Sequence, residues 1–201
     1  LNRQSSTLTR LRRFDEAYEV ALQGLGLAQR LTNSDPIDVR HKVRHMQAEI
    51  SAGFPHTIRT NPKRNLHLAL QHYERALPLA ESIAASDANN IRATRDFSGL
   101  LTRIGEVQLG LADHASAIAA FERASIIAER TLTHALINIL NNAAEATDPE
   151  QGVEFHAAWN AHDMKIKIRD FGPGFPSELI NVIGKQPLTT KNKGLGVGLF
   201  L

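Results

Sequence analysis

The sequence predicts an α+β chain in two parts: an all-α array of helical hairpins over residues 1–130, then a smaller, partial α/β sandwich over residues 131–201. Three observations predict it. Residues 1–130 are rich in Ala, Leu, Arg and Glu, with apolar positions at helical spacing and little strand character. Within them one short pattern returns at intervals of 52 and 48 residues. Beyond Asp148-Pro149, two segments alternate polar and apolar residues as paired strands do.

A chain of 201 residues holds one large domain or two modest ones. Its hydrophobic content of 42% and charged content of 22% are ordinary for a globular protein. A net charge of +2 gives no argument for nucleic acid as a partner. The absence of cysteine excludes disulfides, thiolate zinc sites and cysteine nucleophiles. No apolar run approaches the roughly 18–20 residues of a membrane span, and no N-terminal signal pattern is visible. The chain starts at Leu1 and stops at Leu201 inside an apolar run, which predicts a piece of a longer protein.

Three segments carry the repeat: Phe14–Gly24, Leu66–Ala76 and Ala115–Ala124. Small residues Ala17, Ala69 and Ala117 are followed four positions later by Ala21, Tyr73 and Phe121, and three further on by Gly24, Ala76 and Ala124. Small side chains let two helices approach, and the aromatic fills the space towards the next pair. A second echo, Ser34-Asp35 with Arg40 against Ser86-Asp87 with Arg92, repeats the 52-residue interval. The pattern resembles the second helix of a tetratricopeptide repeat, and Leu101, Ile104 and Gly105 resemble its first helix. The chain departs from that family at Gln108 and in its spacing, which exceeds the family's roughly 34 residues. An inserted loop is expected over 51–62, and the opening helix of the first unit over 1–13. A generic helical bundle is the other reading of these residues.

As such repeats are binding scaffolds, the resemblance implies a protein or peptide partner. Arg10, Arg12, Arg13, Arg40, Arg44, Arg64 and Arg92 either line a groove for acidic peptides or form a solvated helix face. The plainer reading is the solvated face. His41 and His45 stand four apart, but no acid three residues further on completes a known metal site, so none is expected.

From Leu111 to Thr147 there is neither Gly nor Pro, so the last repeat helix is expected to run on with at most a small break, capped at Thr131 or Thr133. The run Ala135–Ala146 places Asn138 and Asn142 four apart on one helix face, with Leu136, Ile139, Leu140 and Ala143 inward. After the strand pair 152–159 and 164–170 comes Asp170-Phe-Gly172-Pro-Gly174. In the second strand Met164, Ile166 and Ile168 face the core, and 160–163 turn the hairpin. A short helix is expected over 177–186, capped by Ser177, before Thr189-Thr190-Lys191-Asn-Lys193-Gly194-Leu-Gly196-Val-Gly198.

In this order the three motifs resemble the N, G1 and G2 boxes of the histidine-kinase-type ATP-binding domain, the GHKL or Bergerat fold. The resemblance implies ATP and Mg2+ as cofactors. Asn142 would ligate magnesium, which takes hard oxygen donors. Asn138 stands where gyrase-type ATPases place a glutamate that activates water. An amide cannot act as that base, which favours the kinase branch over a hydrolase. Asp170 would accept the adenine amino group, with Gly172 and Gly174 letting backbone pass close to the base. Thr189, Thr190 and Lys191 would form a short lid, and Gly194, Gly196 and Gly198 would free backbone N–H groups for phosphate. Lys191 and Lys193 either neutralise phosphate or are a plain surface pair.

The family's domain continues past the third motif, so incompleteness at the C-terminus is expected. At the junction before the N-box helix no phospho-accepting histidine followed by an acid is found, and no catalytic residue is assigned. The resemblance implies a cytoplasmic, two-component signalling protein in which ATP donates its γ-phosphate to a histidine and then a response regulator. It also implies a homodimer in the full-length parent. The alternative is an interaction scaffold with a degenerate, non-binding nucleotide remnant.

Overall fold

The computed structural model describes residues 1–174 apart from 88, 89, 149, 161 and 162. The chain falls into two units, Leu1–Glu129 and Arg130–Leu201. The first is helical: α1 (Asn2–Arg10), α2 (Phe14–Ser34), α3 (Val39–Gly53), a 3-10 turn (Phe54–Thr57), α4 (Leu66–Ser86), α5 (Ile91–Gly110) and the start of α6 (His114–Ala146). Consecutive helices from α1 to α5 pack on one another.

Local chemistry sets the helix ends. Asp38, Asn65 and Asn90 each cap a helix by accepting a backbone N–H from Arg40, Leu68 and Ala93 in turn. The turns between α1 and α2 and between α5 and α6 are the same structure 100 residues apart. Arg13 and Asp113 N–H groups donate to the Leu8 and Gln108 carbonyls, and Arg12 and Ala112 donate to Thr9 and Leu109. This is a Schellman closure, and it puts Arg12 at φ 60° and Ala112 at φ 62°, in the left-handed region.

Alanines at the repeat positions form the seams. Ala17, Ala21, Ala69 and Ala76 are fully buried, and Ala117 and Ala124 nearly so. Tyr73 lies against Gly53 and Phe121 against Gly105; a Cβ on either glycine would stand 2.7 Å from a ring carbon. The main core joins Tyr73 and Ile83 of α4 with Phe97, Leu100, Leu101 and Ile104 of α5.

The middle turn differs from the other two. Ser51–Gly53 belong to α3 rather than to a loop, because Ala52 and Gly53 are buried against α4. The insertion therefore begins at Phe54. It is partly internal, with Pro55, His56 and Asn61 buried and Asn61 Nδ2 donating to the Pro55 carbonyl at 2.9 Å. The opening helix ends at Arg10 rather than Arg13, and it is anchored: buried Ser5 donates its hydroxyl to the Ala17 carbonyl at 2.8 Å.

In the second unit, the C-terminal half of α6 runs to Ala146 with no break at Thr131 or Thr133. The strands β1 (Glu154–Trp159) and β2 (Met164–Arg169) form an antiparallel pair in register from Glu154 opposite Arg169 to Trp159 opposite Met164. Asp163 donates its N–H to Asn160 Oδ1 at 2.8 Å, closing the turn. Ile166 and Ile168 are half-buried, whereas Met164, expected inside, is 54% exposed. It begins the strand beside the turn, where the described residues leave it open. Among the described residues, no helix is long and apolar enough to cross a membrane.

Candidate functional site

The end of α6 and the loop after β2 meet. Ala143, at 5% exposure, is the innermost residue of this stretch of helix, with Leu136, Ile139 and Leu140 half-buried beside it. Asn138 is half-buried and Asn142, one turn on, is exposed. The helix stops at Ala146, and buried Thr147 then takes up the loop: its Oγ1 accepts the Phe171 N–H at 3.1 Å.

One residue on, Gly172 comes so close to the helix end that an added Cβ would lie 2.4 Å from the Ala146 carbonyl oxygen. Only a residue without a Cβ fits that approach. Asp170, exposed at the strand end, accepts the Gly172 N–H on Oδ1 at 3.1 Å, and Gly174 adopts φ +73°. The Arg169 guanidinium covers the Phe171 ring at 4.9 Å and stands 3.9 Å from Glu154 on β1. A carboxylate has about four acceptor positions, so this turn leaves capacity on Asp170 for a ligand's N–H. The asparagine amides supply neutral hard oxygens of the kind a phosphate-bound magnesium accepts. These donor types fit Mg-ATP.

Among the site residues expected from sequence, Asn138, Asn142, Asp170, Gly172 and Gly174 thus lie on the two segments that Thr147 ties together. Thr189, Thr190, Lys191, Gly194, Gly196 and Gly198 lie outside the described residues, as does the helix expected over 177–186. Thr147 was not anticipated as part of the site. A hydroxyl residue directly after the helix and before Asp148-Pro149 is the signal that could have found it.

In the helical unit, His41 and His45 each have an acidic neighbour on their own helix turn. His41 Nε2 is 3.9 Å from Asp38, whose carboxyl is held well below its usual range by the bonded Arg40 guanidinium. His45 Nε2 is 3.8 Å from Glu49, the acid four rather than three residues on. A cleft of about 410 Å3 lies between 12–16 and 60–63, lined by Arg12 and by two ion pairs, Arg13 with Glu16 and Lys63 with Asp15.

Residues 127–201 match the family of histidine kinase-, DNA gyrase B-, and HSP90-like ATPases. The chain is 30% identical over 117 residues to sporulation kinase A of Bacillus subtilis (strain 168), covering 54% of this chain and 19% of that protein. It is 38% identical over 71 residues to sporulation kinase C of the same organism, covering 35% and 17%. To the nitrogen regulation protein NtrY of Azorhizobium caulinodans it is 39% identical over 79 residues, covering 36% and 10%. The chain thus spans less than a fifth of the length of these curated relatives. The first of these alignments takes in more of the chain than residues 127–201 hold, so it extends into the helical unit. No solved structure gives a significant match. Residues 127–201 are an ATPase-family domain homologous to those of sensor histidine kinases.

Proposed function

We propose that residues 131–201 bind Mg-ATP as the nucleotide module of a sensor histidine kinase, and that residues 1–130 are a tetratricopeptide-like scaffold for a protein or peptide partner. The observation that carries the first part is the close approach of the G1 loop to the N-box helix. Gly172 lies against Ala146, and Thr147 holds Phe171. Such an approach supports a reading in which the loop takes the base and the helix beside it holds the metal.

In this reading Asp170 accepts the adenine amino group, and Asn142 ligates magnesium on the nucleotide. Gly174 and Gly172 keep backbone close to the base, while Thr189, Thr190 and Lys191 close over the phosphates. Gly194, Gly196 and Gly198 present backbone N–H groups to them. Bound magnesium would neutralise phosphate charge. Asn138 cannot take a proton from water, so the site serves phosphoryl transfer rather than hydrolysis. In the full-length parent the acceptor is a histidine and then a response regulator, in a cytoplasmic and dimeric assembly. The paired approaches of Tyr73 to Gly53 and Phe121 to Gly105 support the repeat reading of residues 1–130.

Calorimetric titration with ATP, with and without magnesium, tests the module against its rival, a scaffold with a non-binding remnant. Magnesium-strengthened binding that weakens about tenfold or more in Asn142→Ala, as for loss of about 1.4 kcal/mol, is expected. A folded chain that binds no ATP leaves the scaffold reading.

A further inference from the structure

The inserted turn of the helical unit carries a buried polar cluster that no nucleotide chemistry uses. Glu49 of α3, 1% exposed, pairs with His72 of α4, 2% exposed, through a 2.6 Å contact from Oε2 to Nδ1. The other ring nitrogen of His72 lies 3.4 Å from the Tyr18 hydroxyl of α2. His56, from the 3-10 turn, sets its ring edge-to-face on Tyr18 at 4.5 Å between centroids. It is 8% exposed, and neither of its ring nitrogens has a hydrogen-bond partner. Three helices and the turn thus meet at one buried histidine ring that lacks the paired carboxylate His72 has.

We propose that His56 is an acid-sensitive latch: its protonation on mild acidification loosens the packing of α2, α3 and α4 around the inserted turn. The groups around it set the direction. From α2 it faces Tyr18 and Asp15 and from α4 His72, while Glu49 of α3 meets His72 with His45 beside it, and Arg75 of α4 acts on Tyr18. The Glu49 carboxylate already pairs with His72, and no carboxylate pairs with the His56 ring in this way. Burial lowers the His56 pKa below its ordinary 6.5, and proximity to His72 adds to this, while the Lys63 backbone and Asp15 pull the other way. A histidine whose folded pKa is lowered contributes stability that is complete above its unfolded value. That contribution fades as pH falls through 6.5 towards the folded pKa.

The test uses the whole chain. Helix unfolding by urea is followed by circular dichroism between about pH 7.5 and about pH 5.5, the range in which histidines titrate, for the wild type and for His56→Phe. Phe keeps the edge contact with Tyr18 and removes the titrating group. The wild-type midpoint should fall on acidification, and the variant should lose most of that fall. In the wild type, the assigned His56 ring resonance should titrate below 6.5, a readout that stands even if the variant fails to fold. An equal fall in both proteins, or a His56 resonance titrating at or above 6.5, overturns the latch.

Discussion

Thr147 Oγ1 accepts the backbone N–H of Phe171 at 3.1 Å, across 24 residues of sequence that hold both strands. This bond decides how the loop after β2 lies on the end of α6, and the candidate nucleotide site depends on it. Thr147→Val keeps the shape and removes the acceptor. We expect a loss of about 1 kcal/mol in the second unit and weaker ATP binding, with Thr147→Ser close to wild type. Parallel urea and ATP titrations of the two variants check this.

Gly172→Ala should be worse. Its Cβ would fall 2.4 Å from the Ala146 carbonyl oxygen, a backbone atom that no rotamer change can move. A cost of about 1–3 kcal/mol is expected from the forced shift, together with loss of ATP binding. Wild-type ATP affinity in Gly172→Ala would show that the loop does not need this approach.

The two Schellman turns give a prediction of the opposite sign. Ala112 at φ 62° and Arg12 at φ 60° occupy a region that costs a residue with a Cβ about 1–2 kcal/mol. Glycine there gives back part of that gain as chain entropy. Both residues are exposed, so little else changes. Ala112→Gly and Arg12→Gly should each raise the stability of the helical unit by about 0.5–1 kcal/mol, read from the urea midpoint.

Much of the helical unit was legible because its seams depend on small residues. Ala17, Ala69 and Ala117 mark where helices touch, and burial follows that register closely. A run without Gly or Pro was enough to carry α6 through Thr131 and Thr133. The inserted turn was expected, but its start was not legible. Gly53 reads as a loop residue in sequence, yet it ends a helix because Tyr73, 20 residues on, needs the space. The Glu49–His72 pair joins residues 23 apart on different helices, and no local pattern announces it. At the candidate site, spacing placed Asn138 and Asn142 on one helix and Asp170 at a strand end. The tie from Thr147 was missed, since its partner lies across the hairpin and only the hydroxyl residue directly after the helix hints at it.

The central claim is that the Asp170 loop and the Asn142 helix form a working adenine and magnesium site. The most direct measurement titrates the chain with a fluorescent ATP analogue in magnesium, beside Asp170→Asn. That variant keeps an oxygen for the Gly172 N–H but loses the carboxylate that would receive the adenine amino group. The account predicts saturable, magnesium-dependent binding by the wild type and loss of about tenfold or more in the variant, the equivalent of one charge-assisted hydrogen bond. Equal binding by both folded proteins, or none by the wild type, would contradict it.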